Sequence, residues 1–123
     1  MKKALIIDDS VFMVKRLKGF LTEVGKVIVG EAANGKDGFE MYKELKPDIV
    51  FLDINMPVMS GRDALVHIMD FDPEAKIVMC STEGSEEIIE ECIENGAIYY
   101  IIKPYIADNV KQSLRDIEIL LET

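Results

Sequence analysis

Short apolar runs alternate with stretches of helical period along the whole chain. Ala4 to Ile7 reads as a strand and ends at Asp8-Asp9-Ser10. A helix is predicted from about Val11 to Val24, with Met13, Leu17, Phe20, Leu21 and Val24 forming one apolar stripe and Gly25 as its stop. Val27 to Ala32 is a second strand, and Asn34-Gly35 is a loop signal. The next helix carries Phe39, Tyr42 and Leu45 and closes at Lys46-Pro47. Ile49 to Leu52, continuously apolar, has the look of a strand buried on both faces, and Asp53 follows at its end. Ser60 is placed to cap a third helix with Ala64, Leu65 and Ile68 inward, ended by Asp72-Pro73. Ile77 to Cys80 is the fourth strand and runs into Ser81-Thr82. Ser85 caps a fourth helix with Ile88, Ile89, Cys92 and Ile93 inward and Gly96 as the stop. Ile98 to Ile102 leads to Lys103-Pro104, and Asp108 is expected to cap a last helix bearing Val110, Leu114, Ile117 and Leu121. Five strands alternating with five helices predict an α/β domain: a doubly wound five-stranded parallel sheet, (βα)5, with right-handed crossovers and helices on both faces.

The 123 residues suit one domain, 1–123, without repeat, linker or attached output domain. Hydrophobic residues make up 49% of the chain, enough for a core. The net charge of −9, from 23 acidic and 14 basic residues, argues against nonspecific binding to nucleic acid or an anionic membrane. No apolar run has the length of a membrane helix, and Met1-Lys2-Lys3 leads into too few apolar residues for a secretory leader. Cys80 and Cys92 form neither a metal set nor a disulfide framework, so reduced thiols in a cytoplasmic protein are expected. His67, the single histidine, is read as a surface residue of the third helix.

The strand ends carry the chemistry. A parallel sheet places Asp8, Asp9, Asp53, Ser81 and Lys103 on one edge, beyond the carboxyl ends of the strands where sites form. Three carboxylates there repel, raising some of their pKa values, unless a cation joins them. Mg²⁺ suits hard oxygen ligands beside phosphate oxygens. With Lys103 as a point charge and Ser81 as a donor, the set describes a pocket for a phosphoryl group on a carboxylate. Positioning and charge neutralisation are then the main contributions to transfer.

The motifs Ile6-Ile7-Asp8-Asp9-Ser10, Leu52-Asp53-Ile54-Asn55-Met56-Pro57-Val58-Met59-Ser60-Gly61, Cys80-Ser81-Thr82 and Ile101-Ile102-Lys103-Pro104-Tyr105 follow in order at these ends. Together they span the chain, which resembles the receiver domain of two-component response regulators, specifically the stand-alone chemotaxis (CheY-like) type. The resemblance implies strand order 2-1-3-4-5 and Asp53 as the acceptor of a phosphoryl group from a sensor histidine kinase. It implies Mg²⁺ held by Asp9, Asp53 and the backbone carbonyl of Asn55, with Asp8 acting through metal-bound water. Ser81 and Lys103 would contact the phosphoryl oxygens, and Tyr100 would be the aromatic switch. A cis Lys103-Pro104 bond would aim the lysine inward. A protein target would bind the face built from helix four, strand five and helix five. Asn55 and Glu83 would flank the approach of hydrolytic water and give rapid autodephosphorylation.

Two positions depart from this pattern: Val14 stands where chemotaxis-type members often have a basic residue, and Tyr99 where a small or acidic residue is common. Tyr99 and Tyr100 should point to opposite faces. Met56 and Met59 read as loop packing and Cys92 as core. The alternatives weighed are a single-domain receiver in a non-chemotaxis phosphorelay, an aspartyl-nucleophile phosphatase, an FMN carrier and a module that is never phosphorylated. The haloacid-dehalogenase type expects Asp-x-Asp, and Asn55 occupies the second position. Asp8 and Asp9 stand where an FMN carrier has its phosphate loop. The intact acidic site speaks against the last alternative. On the fourth helix Glu86, Glu90 and Glu94 form an acidic stripe that is read either as a solvated face or as a surface for a basic partner, a separate target or Lys111 and Arg115 of a second copy. The expected state is a monomer, with pairing on phosphorylation as the alternative.

Overall fold

Five strands and five helices alternate through residues 3–122, the part of the chain described by the computed structural model. In order they are β1 (Lys3–Ile7), α1 (Val11–Glu23), β2 (Val27–Ala32), α2 (Gly35–Leu45), β3 (Ile49–Asp53), α3 (Gly61–Phe71), β4 (Ile77–Ser81), α4 (Glu86–Glu94), β5 (Tyr99–Ile102) and α5 (Ala107–Glu122). The strands form one parallel sheet in the order β2-β1-β3-β4-β5, the order that the family resemblance implied. Met1 and Lys2, where the absence of a leader was read, lie outside the described residues, as does Thr123. Among the described residues no helix is long and apolar enough to cross a membrane.

Strand alternation splits the core in two. Val50 and Leu52 of β3 face Tyr42 of α2, Leu65 and Ile68 of α3 and Cys92 of α4. Ile49 and Phe51 face Leu17 and Leu21 of α1 and Leu114 and Ile117 of α5. All five residues of β3 and of β4 are buried, as expected for central strands covered on both faces. Register sets the functional edge: Ile7 pairs with Leu52, Asp53 with Cys80 and Ser81 with Ile102, so the polar residues following these strands emerge side by side.

Side-chain caps start four helices. Ser10, Asn34, Ser60 and Ser85 accept the N–H of Met13, Asp37, Asp63 and Ile88, each satisfying a donor left open in a first turn. Asn34-Gly35, read as a loop, is therefore the start of α2. Position 35 takes glycine because a Cβ there would stand 2.5 Å from the Met59 carbonyl oxygen. Gly25 and Gly96 close α1 and α4 with φ of 87° and 110°.

Three expectations need correction. Asp108 does not precede α5; the helix starts at Ala107, so Asp108 lies in its first turn, where its charge suits the dipole. The buried stripe of α1 is Val14, Leu17 and Leu21, while Val24 is 51% exposed. The helix ends at Glu23, so Val24 no longer follows its period. On α4 only Cys92 is fully buried and Ile93 is 45% exposed, since a nine-residue helix meets the sheet along a narrow line. Tyr99 and Tyr100 do face opposite cores, and the Tyr99 hydroxyl donates to Asp116 Oδ2 at 2.9 Å beneath α5. The Lys103-Pro104 bond is cis. His67 is exposed against the Phe39 ring, and both cysteines are buried and free.

Candidate functional site

Sheet topology brings β1, β3, β4 and the residues after β5 to one edge, and the chemistry follows from their ends. Asp8 and Asp9 follow directly on β1, and Ser10, which caps α1, donates its N–H to Asp8 Oδ1 at 2.9 Å. Asp53 ends β3 and folds back so that Oδ1 accepts the N–H of Ile54 at 2.9 Å. Lys103 reaches in from the segment after β5, its Nζ 2.6 Å from Asp8 Oδ2 and 3.4 Å from Asp53 Oδ1. Asp8, Asp53, Ser81 and Lys103 are buried and Asp9 is exposed. Carboxylate oxygens of Asp8, Asp9 and Asp53 lie within 4.8 Å of one another. A cavity of about 210 Å³, lined by Asp9, Ser10, Met13, Asp53, Asn55, Thr82 and Lys103, opens above them.

Electrostatics follow from this crowding. Burial pushes the Asp53 carboxyl up to about 6; Asp8 adds to the rise, and Lys103 and the Ile54 N–H oppose it. For Lys103, burial works against the charge, but the bond to Asp8 and the charges of Asp53 and Asp8 outweigh it and raise its pKa. The ammonium is thus held in its charged form. Three carboxylates against one ammonium leave the cluster short of positive charge, and its donors are all hard oxygens. This set fits Mg²⁺.

The other residues read from the sequence converge on Glu83. Asn55 Nδ2 donates to Glu83 Oε1 at 2.9 Å, bridging the β3–α3 and β4–α4 loops. The Tyr100 hydroxyl donates to the Glu83 carbonyl, and the Glu83 N–H donates to Ser81 Oγ at 3.1 Å. Asp8, Asp9, Asp53, Ser81, Lys103, Asn55, Glu83 and Tyr100 thus form one connected region. Met13 and Thr82 also line the cavity. Thr82 belonged to a motif, but Met13 was assigned to the core because periodicity alone cannot tell the end of a buried stripe from the rim of a cleft. Val14 is buried and takes part in the apolar packing of α1. Lys111 and Arg115 stand elsewhere: Lys111 is 3.8 Å from Glu23 of α1, Arg115 donates to Gln112, and both line a groove toward α1.

Residues 4–115 match the response regulator receiver domain family. The chain is 46% identical over 116 residues to a chemotaxis protein CheY of Thermotoga maritima, covering 94% of this chain and 97% of that protein. It is 44% identical over 114 residues to a chemotaxis protein CheY of Listeria monocytogenes, covering 93% and 96%. Its structure is similar to a chain in the crystal structure of the CheX-CheY-BeF3-Mg+2 complex from Borrelia burgdorferi, with a TM-score of 0.91 and 39% identity, covering 94% of this chain and 88% of that one. With acidic, hydroxyl and lysine groups at the strand ends and a match over nearly its whole length, the chain belongs to the receiver domains of two-component response regulators.

Proposed function

We propose that this receiver is a chemotaxis-type switch, cytoplasmic and controlled by phosphorylation of Asp53 by a sensor histidine kinase. The observation that carries the reading is Asp53 itself: a buried carboxylate at a sheet edge, 3.4 Å from a buried ammonium and clustered with Asp8 and Asp9. Its Oδ1 is occupied by Lys103 and the Ile54 N–H, which leaves Oδ2 to attack phosphorus. At neutral pH the group is ionised, so no base is needed. The phosphorus–nitrogen bond of a phosphohistidine breaks as the oxygen–phosphorus bond forms. Ser81 Oγ accepts the Glu83 N–H and keeps its own hydrogen to donate to a phosphoryl oxygen. Lys103 supplies a fixed charge to another. Asp9, Asp53 and the Asn55 carbonyl, assisted by Asp8, would hold Mg²⁺, whose charge offsets that of the phosphoryl oxygens when it is bound.

The outcome is read at the face of α4, β5 and α5. Glu83 touches Ser81 through its N–H and Tyr100 through its carbonyl, and the Ser81 and Tyr100 side chains also meet, so a shift of Ser81 toward a phosphoryl oxygen reaches the Tyr100 ring directly as well as through Glu83. That face then binds a protein target. The Borrelia relative was crystallised with CheX, which makes a protein of that kind one candidate partner.

Mass spectrometry after incubation with Mg²⁺ and acetyl phosphate tests the reading. Wild type should gain one phosphoryl group, and Asp53→Asn or removal of Mg²⁺ with a chelator should abolish the gain. Undiminished modification of Asp53→Asn would refute the assignment.

A further inference from the structure

Arg16 projects from α1 toward the segment that carries Lys103. Its Nε and Nη2 both donate to the backbone carbonyl of Tyr105, at 2.9 and 2.6 Å. The guanidinium lies 5.5 Å from the centroid of the Phe20 ring, one turn along the same helix, and this contact helps hold its plane. Tyr105 is two residues beyond Lys103, and its ring is 1% exposed within the core shared by α1 and α5. Its hydroxyl lies by the thiol of Cys80, the residue before Ser81. On its other side Lys103 is tied to the sheet by its own N–H, which donates to the Ser81 carbonyl at 2.8 Å. The backbone that aims the lysine is therefore anchored to β4 before the side chain and to α1 after it. The same helix α1 is capped by Ser10, directly after Asp8 and Asp9.

We propose that Arg16 is a positioning residue of the phosphoacceptor site: by gripping the Tyr105 carbonyl with two donors, it sets where the Lys103 ammonium stands between Asp8 and Asp53. The proposal rests on the reading of Asp53 as phosphoacceptor. A guanidinium is suited to the task because its donors are fixed in one plane and converge on a single acceptor, whereas an ammonium offers only a point contact. The acceptor is a main-chain carbonyl, so the grip sets the path of the loop and does not depend on the side chain at 105. With the grip released, the loop gains freedom where a small displacement matters most, since misplacing a group at a reacting centre by about 1 Å can cost on the order of a hundredfold in rate.

The test measures the half-saturating concentration of beryllofluoride at fixed Mg²⁺, and the initial rate of Asp53 modification against acetyl phosphate concentration. The proteins are wild type, Arg16→Met, Arg16→Lys and Lys26→Met. Arg16→Met keeps the apolar stem and should raise both half-saturating concentrations about tenfold, the scale seen when a supporting partner of a site is removed. Arg16→Lys keeps the charge and one donor and should recover part of the loss. Lys26→Met removes the ion pair to Glu118 at the opposite edge of the sheet. It should lower the unfolding temperature and leave both concentrations unchanged. The proposal is overturned if Arg16→Met matches wild type, or if Lys26→Met shifts the concentrations as much. Should Arg16→Met fail to fold, Arg16→Lys decides, and an unshifted half-saturation in it overturns the proposal. A wild type that takes neither beryllofluoride nor phosphoryl removes the Asp53 reading and this proposal together. A wild type that takes both, beside an unaffected Arg16 variant, removes this proposal alone.

Discussion

Asp53 shows what a functional residue costs the fold. Its carboxyl is pushed up to about 6 from an ordinary 3.8, foremost by burial. The folded chain therefore holds that proton more tightly than the unfolded chain does. The stability this contributes is fully present below the unfolded pKa and is lost as pH rises through the folded one. At neutral pH, without metal, the ionised group destabilises the fold by on the order of 3 kcal/mol. Asp53→Asn should thus raise the unfolding temperature in chelator at neutral pH, with a smaller gain at about pH 4.5, where the native carboxyl is already protonated. Thermal melts followed by circular dichroism check this; an equal gain at both pH values would contradict it. Asn55 and Glu83 act as a pair, because their side chains are hydrogen-bonded to each other at 2.9 Å. Replacing either with a bulky apolar residue should slow decay of the phosphorylated protein. The double replacement should slow it less than the product of the two single effects, since residues in contact are not independent. Phosphate release from purified phosphoprotein measures this, and unchanged decay in both single variants would remove their proposed role.

Among the helices, α4 is the least anchored. It has nine residues, one fully buried side chain and no basic residue in its last turn. Its ties include the Ser85 cap, the ion pair between Glu91 and Arg62 of α3 and the packing of Ile88 beside Cys92. Few buried contacts place a helix at the low end of local stability, where moving elements are found. Amides of α4 should therefore exchange with solvent before those of α3, which buries Ala64, Leu65 and Ile68. Ser85→Ala should speed that exchange further, by an amount equivalent to about 1 kcal/mol. Glu94→Gln should slow it slightly, because a negative charge near a helix C-terminus costs a few tenths of a kcal/mol. Hydrogen exchange read by mass spectrometry or NMR compares these variants, and protection of α4 equal to that of α3 would remove the weak-anchor account.

For the whole molecule, the distribution of charge matters more than its sum of −9. Glu86, Glu87, Glu90 and Glu94 are exposed on α4. Lys111 and Arg115, the basic pair that the stripe would meet in a second copy, line a groove toward α1. Beryllofluoride-activated protein should accordingly sediment as a monomer at low and at high salt; a salt-sensitive dimer would show that the stripe has found another basic surface. A protein target of α4, β5 and α5 should bind more weakly as salt rises, and more weakly still when Glu86, Glu90 and Glu94 are changed to Gln. Equal binding of wild type and variant at low salt would make the stripe a solvated face only.

The order of elements was legible in the sequence because each strand is a short apolar run and each helix carries its own period and its own cap or stop. The candidate site was legible for a related reason. In a parallel sheet every strand delivers its last residue to the same edge, so Asp8, Asp9, Asp53, Ser81 and Lys103 could be grouped before any distance was known. Local pattern failed where a partner element decided the outcome. Val24 was misassigned to the buried stripe because the end of α1 depends on the turn into β2, and Ile93 was drawn inward because periodicity does not say how wide a strip of helix the sheet can cover. Contacts across the sheet edge were beyond reach: Lys103 on Asp8, Asn55 on Glu83, and Arg16 on the Tyr105 carbonyl join residues 95, 28 and 89 positions apart. Sequence determined which groups reach the edge, since strand direction is a property of the chain. Only the tertiary structure decided which of them touch, since that depends on the twist and spacing of the sheet and on where each loop is anchored.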